Sequence, residues 1–265
     1  MHIVLTVNQA WNIWNFRQPL VEGLLADGHE VTVLAPPDDT VAKLEAIGAR
    51  FEPLRMDAGS FGAAENLALV SRFSRAFGAL GPDIVCGFTI KNNLFGAMAA
   101  RRHGIPFLPN VTGLGTVFLG SRALFQLGRT LYRIALAKSR IVFVQNADDR
   151  DFLVANAILR ADQLRLLPGS GIDTQRFAQV PLPGEPEGPS FLMISRLLRD
   201  KGIVEYLEAA RWLKVERPGV QVRLLGPLGS NNRTAIGRDD LQPFIDDGSV
   251  AYLGETDDVL SLIHI

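Results

Sequence analysis

The sequence predicts an α/β protein made of two doubly wound parallel-sheet units, the second of them incomplete. Three observations carry this reading. Short runs rich in Val, Ile and Leu alternate with stretches of helical periodicity along most of the chain. That is the pattern of strands buried on both faces and joined by crossover helices. The alternation stops once, at VPLPGEPEGP (180–189), where prolines and glycines give a linker composition, and then resumes. Finally, 47% of the 265 residues are hydrophobic, enough apolar material for large cores and too much for a disordered chain.

Each element has its own signal. The first predicted strand, 2–7 (HIVLTV), is short, apolar and β-branched. Residues 16–27 (FRQPLVEGLLAD) carry helical spacing and stop at Gly28, suited to a left-handed C-terminal cap. A strand at 30–34, a helix at 39–47 closed by Gly48 and a strand at 50–54 follow. The next repeats are helix 65–79, strand 83–87, helix 92–103 closed by Gly104, and strand 105–109. After a glycine-rich turn come helix 120–138, strand 141–144, helix 148–157 and strand 164–167. These elements predict a first domain over 1–180.

Beyond the linker, strands at 190–195, 220–225 and 250–253 alternate with helices at 200–216 and 239–247. They predict a partial second domain over 181–259, with apolar faces that more chain would cover. The last six residues, LSLIHI (260–265), back-translate to CTGTCTCTTATACACATC, which resembles the end of a transposon-based sequencing-library adapter. They are expected to be an assembly scar outside the fold. Two doubly wound units place a cleft between them, and ligands of such sheets bind at the carboxyl ends of strands.

Charge and composition exclude several classes. The net charge of −1 argues against a nucleic-acid binder. It divides unevenly, with 18 Lys/Arg against 15 Asp/Glu in 1–180 and 9 against 13 in 181–265. The window 84–147 has no acid, yet holds Lys91, Arg101, Arg102, Arg122, Arg129, Arg133, Lys138 and Arg140. A patch of one sign fits an anionic partner, phosphate or an acidic lipid surface, as well as a solvated face. The first strand begins at His2, leaving no room for a signal peptide, and no run of 18 apolar residues occurs. A cytosolic location is the expectation.

The loop after the first strand, NQAWNIWN (8–15), lacks G-x-G-x-x-G, and the nucleophile-elbow and P-loop motifs are absent. Asp149-Arg150-Asp151 has D-x-D spacing, but at a helix start it reads better as capping than as a metal site. His2, His29, His103 and His264 have no metal-spacing partner, and Cys86 reads as a packing residue. The stronger constellation is SRLLRDKG (195–202), which puts Arg196 at a strand end and Lys201 at a helix start. Two cations beside a helix N-terminus suit a diphosphate. The loops TGLG (112–115) and PGSGID (168–173) also follow strands and can line a cleft with backbone N–H groups.

Several further segments occur in order: GHEVTVLAP (28–36), PDIV (82–85), TIKNN (89–93), NVTGLGTVF (110–118), VQN (144–146), PGSGIDTQRF (168–177), SRLLRDKG (195–202), LLGP (224–227) and YLGETDDV (252–259). Together with Phe16-Arg17 they make the chain similar to the family-4 retaining glycosyltransferases of the GT-B fold, with two Rossmann-like domains. It most resembles the subgroup that builds bacterial capsule, O-antigen and exopolysaccharide repeats on lipid carriers. The resemblance implies sugar transfer from a nucleotide diphosphate sugar to a hydroxyl with retention, without a cofactor or metal.

By that resemblance Arg196 and Lys201 hold the donor diphosphate and stabilise the departing nucleotide. Asn8, Arg17 and Gly113-Leu114-Gly115 stand on the acceptor side. Gly169-Ser170-Gly171 lines the cleft, and Gly254 lies near the nucleotide base. The family's Glu-x₇-Glu motif, which contacts the donor sugar and ribose, is expected downstream of residue 259. No donor sugar or catalytic base is therefore assigned, and little or no activity is expected of this chain alone.

Helix 120–138 mixes apolar residues with Arg122, Arg129, Arg133 and Lys138, a composition for a membrane surface. It fits an acceptor carried on a polyprenyl diphosphate and a peripheral location at the inner face of the plasma membrane. A core-packed helix with cations toward solvent is the competing reading. Two other functions share the architecture: a sugar-nucleotide epimerase and a non-catalytic binder of nucleotide or lipid carrier.

Overall fold

The computed structural model describes residues 1–57, 62–115, 118, 121–175, 178–179, 181, 188–229 and 234–256. The chain divides into two compact units, Met1–Asp173 and Thr174–Ile265. Most of the predicted linker 180–189 and all of the tail 260–265 lie outside the described residues.

The first unit alternates β1 (His2–Thr6), α1 (Ala10–Ala26), β2 (Glu30–Ala35), α2 (Val41–Ala46), β3 (Arg50–Pro53), α3 (Ala63–Leu80) and β4 (Ile84–Phe88). It continues with α4 (Ala97–Arg102), β5 (Phe107–Val111), α5 (Arg122–Leu136), β6 (Val142–Val144), α6 (Ala147–Ala155) and β7 (Leu164–Leu166). The seven strands are parallel, in the order β3-β2-β1-β4-β5-β6-β7. The chain thus starts mid-sheet, runs out to β3, and returns to place β4 beside β1. Strand order reverses between β1 and β4, and a crevice opens at such a point at the carboxyl edge.

Both faces of this sheet are dry, so its strands read as unbroken apolar runs. In β1, Ile3 and Leu5 enter one core with Ile13, Val21, Val33 and Leu44. Val4 enters the other, with Leu69, Phe73, Phe77, Phe107, Tyr132 and Leu136. Each large side chain so buried contributes about 1.5–3 kcal/mol. In β4, Gly87 leaves room for its neighbours, since a Cβ there would meet Phe107 Cζ at 2.5 Å and Asn93 Oδ1 at 2.7 Å.

Three elements differ from their sequence reading. Helix α1 starts at Ala10 rather than residue 16, absorbing most of the segment read as a loop. Ala10, Ile13, Arg17 and Val21 form one buried stripe that runs past Pro19. Pro19 is exposed, and packing on both sides of it outweighs its cost of about 3 kcal/mol in a helix interior. The helix predicted at 92–103 is a π-helical turn, Asn92–Gly96, followed by α4. The one predicted at 200–216 is a 3₁₀ turn, Arg199–Lys201, then Gly202 and α7 (Ile203–Glu216).

The second unit has a parallel sheet, order β10-β9-β8, from β8 (Ser190–Ile194), β9 (Gln221–Leu225) and β10 (Ala251–Tyr252). Helices α7 and α8 (Arg238–Asp246) supply Ile203, Leu207, Leu241 and Phe244 to a core on Val222 and Leu224 of β9. Phe191 and Ile194 of β8 stay 50% and 42% exposed, consistent with a partial domain.

Candidate functional site

The sheet order gathers polar residues at the carboxyl ends of β1, β4 and β5. Arg17, 6% exposed, reaches back along α1 so that its guanidinium lies 4.1 Å from the centroid of the Phe88 ring, at the end of β4. Its Nη1 donates to Asn12 Oδ1 at 2.8 Å. Burial lowers its pKa to about 10, which leaves it charged at neutral pH. Asn8, just past β1, holds a buried Oδ1 without a hydrogen-bond partner.

After β4, Thr89 adopts the left-handed region at φ 69°, a strained conformation for a β-branched residue. Its Oγ1 donates to Asn92 Oδ1 at 2.8 Å and its carbonyl accepts from Asn93 N–H at 2.9 Å. Asn92 Nδ2 donates to Thr6 Oγ1 at 2.8 Å, and Asn93 Nδ2 to the Asn110 carbonyl at 2.8 Å. The side-chain oxygens of Asn93 and Asn110 are buried without partners. Gly113, Leu114 and Gly115 follow β5, and a Cβ on Gly115 would meet Ile90 Cδ1 at 2.5 Å, so this loop abuts the Thr89–Ile90 turn. Asn8, Arg17 and residues 113–115 are thus gathered at the carboxyl ends of adjacent strands.

The sequence reading missed the asparagine network. The signal was available: Asn92, Asn93 and Asn110 sit in apolar surroundings, where amides need internal partners.

In the second unit the three strand-end loops are locked together by backbone. Gly226, after β9, approaches Ser195 so closely that a Cβ would lie 1.8 Å from the Ser195 carbonyl oxygen. Its N–H donates to the Gly254 carbonyl at 2.8 Å, and Tyr252 Oη donates to the Gly226 carbonyl at 2.8 Å. Gly254 has φ 75°. Gly226 is a further residue that the sequence reading missed; it was visible only inside the LLGP segment.

Within SRLLRDKG the charges divide. Arg199 pairs with Asp240 at 3.2 Å, and Asp200 accepts from Thr234 Oγ1 at 3.1 Å. Among the described residues Arg196 and Lys201 have no side-chain hydrogen bond or ion pair, and both are exposed. Arg196 follows the end of β8 and Lys201 precedes Gly202, which caps α7 without a side-chain bond. Lys201 therefore stands in the turn before the helix rather than inside it. Two unpaired cations beside uncapped helical N–H groups can hold phosphate oxygens.

Other candidates have definite placements. Gly169, Ser170 and Gly171 are exposed past the edge strand β7, with φ 76° and 73° at the glycines. On α5, Gly128, Tyr132, Ala135 and Leu136 face inward, while Leu124, Leu127 and Ile134 are 49%, 54% and 52% exposed. Arg122 and Arg133 share that outer surface, and Lys138 is exposed just beyond the helix. Arg129 turns away: its Nε donates to the Asn156 carbonyl at 2.8 Å, closing the end of α6. Asp148 and Asp149 occupy the first turn of α6, where Asn146 Oδ1 accepts from Asp149 N–H at 2.7 Å, a capping arrangement. His103 Nε2 contacts Ser74 Oγ at 2.8 Å, and His2 Nε2 contacts Thr32 Oγ1 at 2.8 Å. Burial pushes the Cys86 thiol up to about 11, so it is no nucleophile at neutral pH.

Comparison with known families settles the lineage. The glycosyl transferase 4-like domain matches residues 13–169, more than half of the chain. The chain belongs to this glycosyltransferase family. A Campylobacter jejuni relative, N,N'-diacetylbacillosaminyl-diphospho-undecaprenol alpha-1,3-N-acetylgalactosaminyltransferase, is 26% identical across 96% of this chain and 69% of its own length. A glycosyltransferase structure from Rickettsia africae superposes with TM-score 0.69 at 16% identity, over 100% of this chain and 70% of that one. A UDP-GlcNAc 2-epimerase from Neisseria meningitidis, bound to UDP-GlcNAc, gives TM-score 0.59 at 15% identity, over 97% and 73%. The parallel α/β architecture is of the GT-B kind, which transferases and epimerases share.

Proposed function

We propose that this glycosyltransferase moves a sugar from a nucleotide diphosphate sugar to a lipid-linked glycan acceptor, with retention, in cell-surface polysaccharide synthesis. The family match over residues 13–169 carries the transferase reading over the epimerase one. The relative whose name specifies a diphospho-undecaprenol acceptor supports the lipid carrier. In this reading Arg196 and Lys201 neutralise the donor diphosphate as negative charge builds on the leaving nucleotide. The locked loop at Gly254 borders the nucleotide base. Asn8, Arg17 and residues 113–115 receive the acceptor.

Among the described residues no helix is long and apolar enough to cross a membrane. The exposed apolar stripe of α5, flanked by Arg122 and Arg133, supports docking at the inner face of the plasma membrane from the cytoplasm. The decisive assay supplies radiolabelled nucleotide sugars with a polyprenyl-diphosphate-linked sugar and follows label into the lipid phase. Transfer with release of nucleoside diphosphate, even at the low level expected of this chain, would establish the transferase reading. An isomerised nucleotide sugar with its diphosphate intact would establish the epimerase reading. Binding without either product would mark a non-catalytic binder.

A further inference from the structure

Arg17 is a buried cation without a counter-charge. The chain has 28 acidic residues, yet among the described residues none pairs with it. Of its five N–H donors, one meets an acceptor among the described residues, Asn12 Oδ1. The Phe88 ring beneath it offers partial compensation for lost hydration. A fold selected for stability alone would place a Met or Leu in this stripe, between Ile13 and Val21.

The neighbourhood points the same way. Asn8 leaves a buried oxygen without a partner beyond the adjoining end of β1. Thr89, next in sequence to the residue under the guanidinium, is held in a strained left-handed turn. No residue of the first turn of α1 is acidic, but Asp38 Oδ2 accepts from Trp11 N–H at 2.8 Å, so the helix end already has a carboxylate partner and the Arg17 guanidinium is what remains for an anion. All of this sits where the strand order reverses, at the ligand-binding edge of such sheets.

We infer that Arg17 anchors a phosphate of the acceptor's lipid-linked diphosphate, so that the first unit recognises the carrier's charge and not only its sugar. The inference rests on the proposed lipid-linked acceptor, but its test needs no turnover. The W212F chain leaves Trp11 and Trp14, both on α1, as fluorescence reporters. Titration with inorganic pyrophosphate and with farnesyl diphosphate is expected to give a saturable change. R17M should weaken both at least tenfold while its Tm stays level or rises, because a buried unpaired charge has become a hydrophobe. R17K should fall between. The R196A/K201A pair should leave the signal from α1 intact, and R17M should leave UDP binding intact.

A wild-type α1 signal that never saturates overturns the assignment, as does an R17M chain that binds pyrophosphate normally. If R17M does not fold, R17Q decides: undiminished pyrophosphate binding there gives Arg17 a structural role only. Loss of UDP binding alone in R17M would move the anion from acceptor to donor and overturn the inference. A chain that passes these tests leaves the anion site standing whether or not it transfers sugar to lipid, so failure of the transferase proposal and failure of this inference are read separately.

Discussion

The two units present opposite solutions at the carboxyl edges of their sheets. In the first, the cation is buried, stacked on Phe88 and short of partners, and the supporting turn is strained at Thr89. In the second, the cations Arg196 and Lys201 are exposed and unpaired among the described residues. There the specialisation lies in backbone, through the approach of Gly226 to Ser195 and the bond to Gly254. One edge stores cost in a side chain, the other fixes a loop geometry and leaves its long side chains exposed and without protein partners among the described residues. A substitution should therefore separate stability from binding differently in each.

The harshest break is Gly226→Ala. A Cβ 1.8 Å from a backbone oxygen cannot be absorbed by a rotamer change, so the loops after β8 and β9 must separate. Overpacking against rigid atoms costs about 3 kcal/mol or more, a drop of about 10 °C or more in the melting of the second unit. Calorimetry should show that transition shifted, with the first unit's transition unmoved. Arg17→Met at the other edge has the opposite expected sign on stability.

Next in size is loss of the second unit's cations. Arg196→Ala or Lys201→Ala alone should weaken nucleoside diphosphate binding about tenfold, and the pair at least thirtyfold, from charge-assisted bonds worth about 1.5–3 kcal/mol each. Both side chains are exposed and unpaired among the described residues, so Tm should change by less than about 2 °C. Isothermal titration with UDP and GDP checks both numbers. Equal affinity in the double variant would remove these residues from the donor site.

The same contrast explains what the sequence could reveal. Strand and helix alternation was legible because both sheet faces of the first unit are apolar, so periodicity and burial agree. The start of α1 was not, because Pro19 suggests a boundary while the stripe Ala10, Ile13, Arg17, Val21 overrides it through tertiary packing. Arg196 and Lys201 stood out as charges at a strand end and a helix start, whereas the pairing of Arg199 with Asp240 depends on a residue 41 positions away. No local pattern shows that Arg17 is buried or that Gly226 touches Ser195, since both follow from which strands the topology makes neighbours.

Helix α5 sharpens the comparison with a third kind of cation, exposed but flanking exposed leucines. Arg129 is spent on the Asn156 carbonyl, so the surface reading narrows to Leu124, Leu127 and Ile134 with Arg122, Arg133 and Lys138. The double variant Leu124→Glu, Leu127→Glu should lose about tenfold or more in affinity for vesicles containing anionic lipid. Its Tm should hold within about 2 °C, because neither leucine is in a core. Wild-type binding should also weaken as salt rises. Co-sedimentation that ignores both the substitution and lipid charge would exclude this face.

The smallest effect is a control, a charge in the second unit that does have its partners. Asp247 accepts from Ser249 Oγ and N–H and from Arg211 Nε at 2.8 Å, and these bonds hold its carboxyl down at about 2. A carboxyl depressed in the folded state adds stability above its unfolded value, near 3.8, and loses it as pH falls toward 2. Asp247→Asn should therefore melt slightly below wild type at pH 6, by no more than about 2 °C for so exposed a group, and the gap should close between pH 4 and pH 2. The surrounding carboxylates titrate in both proteins, so the difference isolates this residue. A gap that persists unchanged at pH 2 would mean that Asp247 acts through packing or hydrogen-bond geometry instead of charge. The contrast with Arg17 would then rest on burial alone.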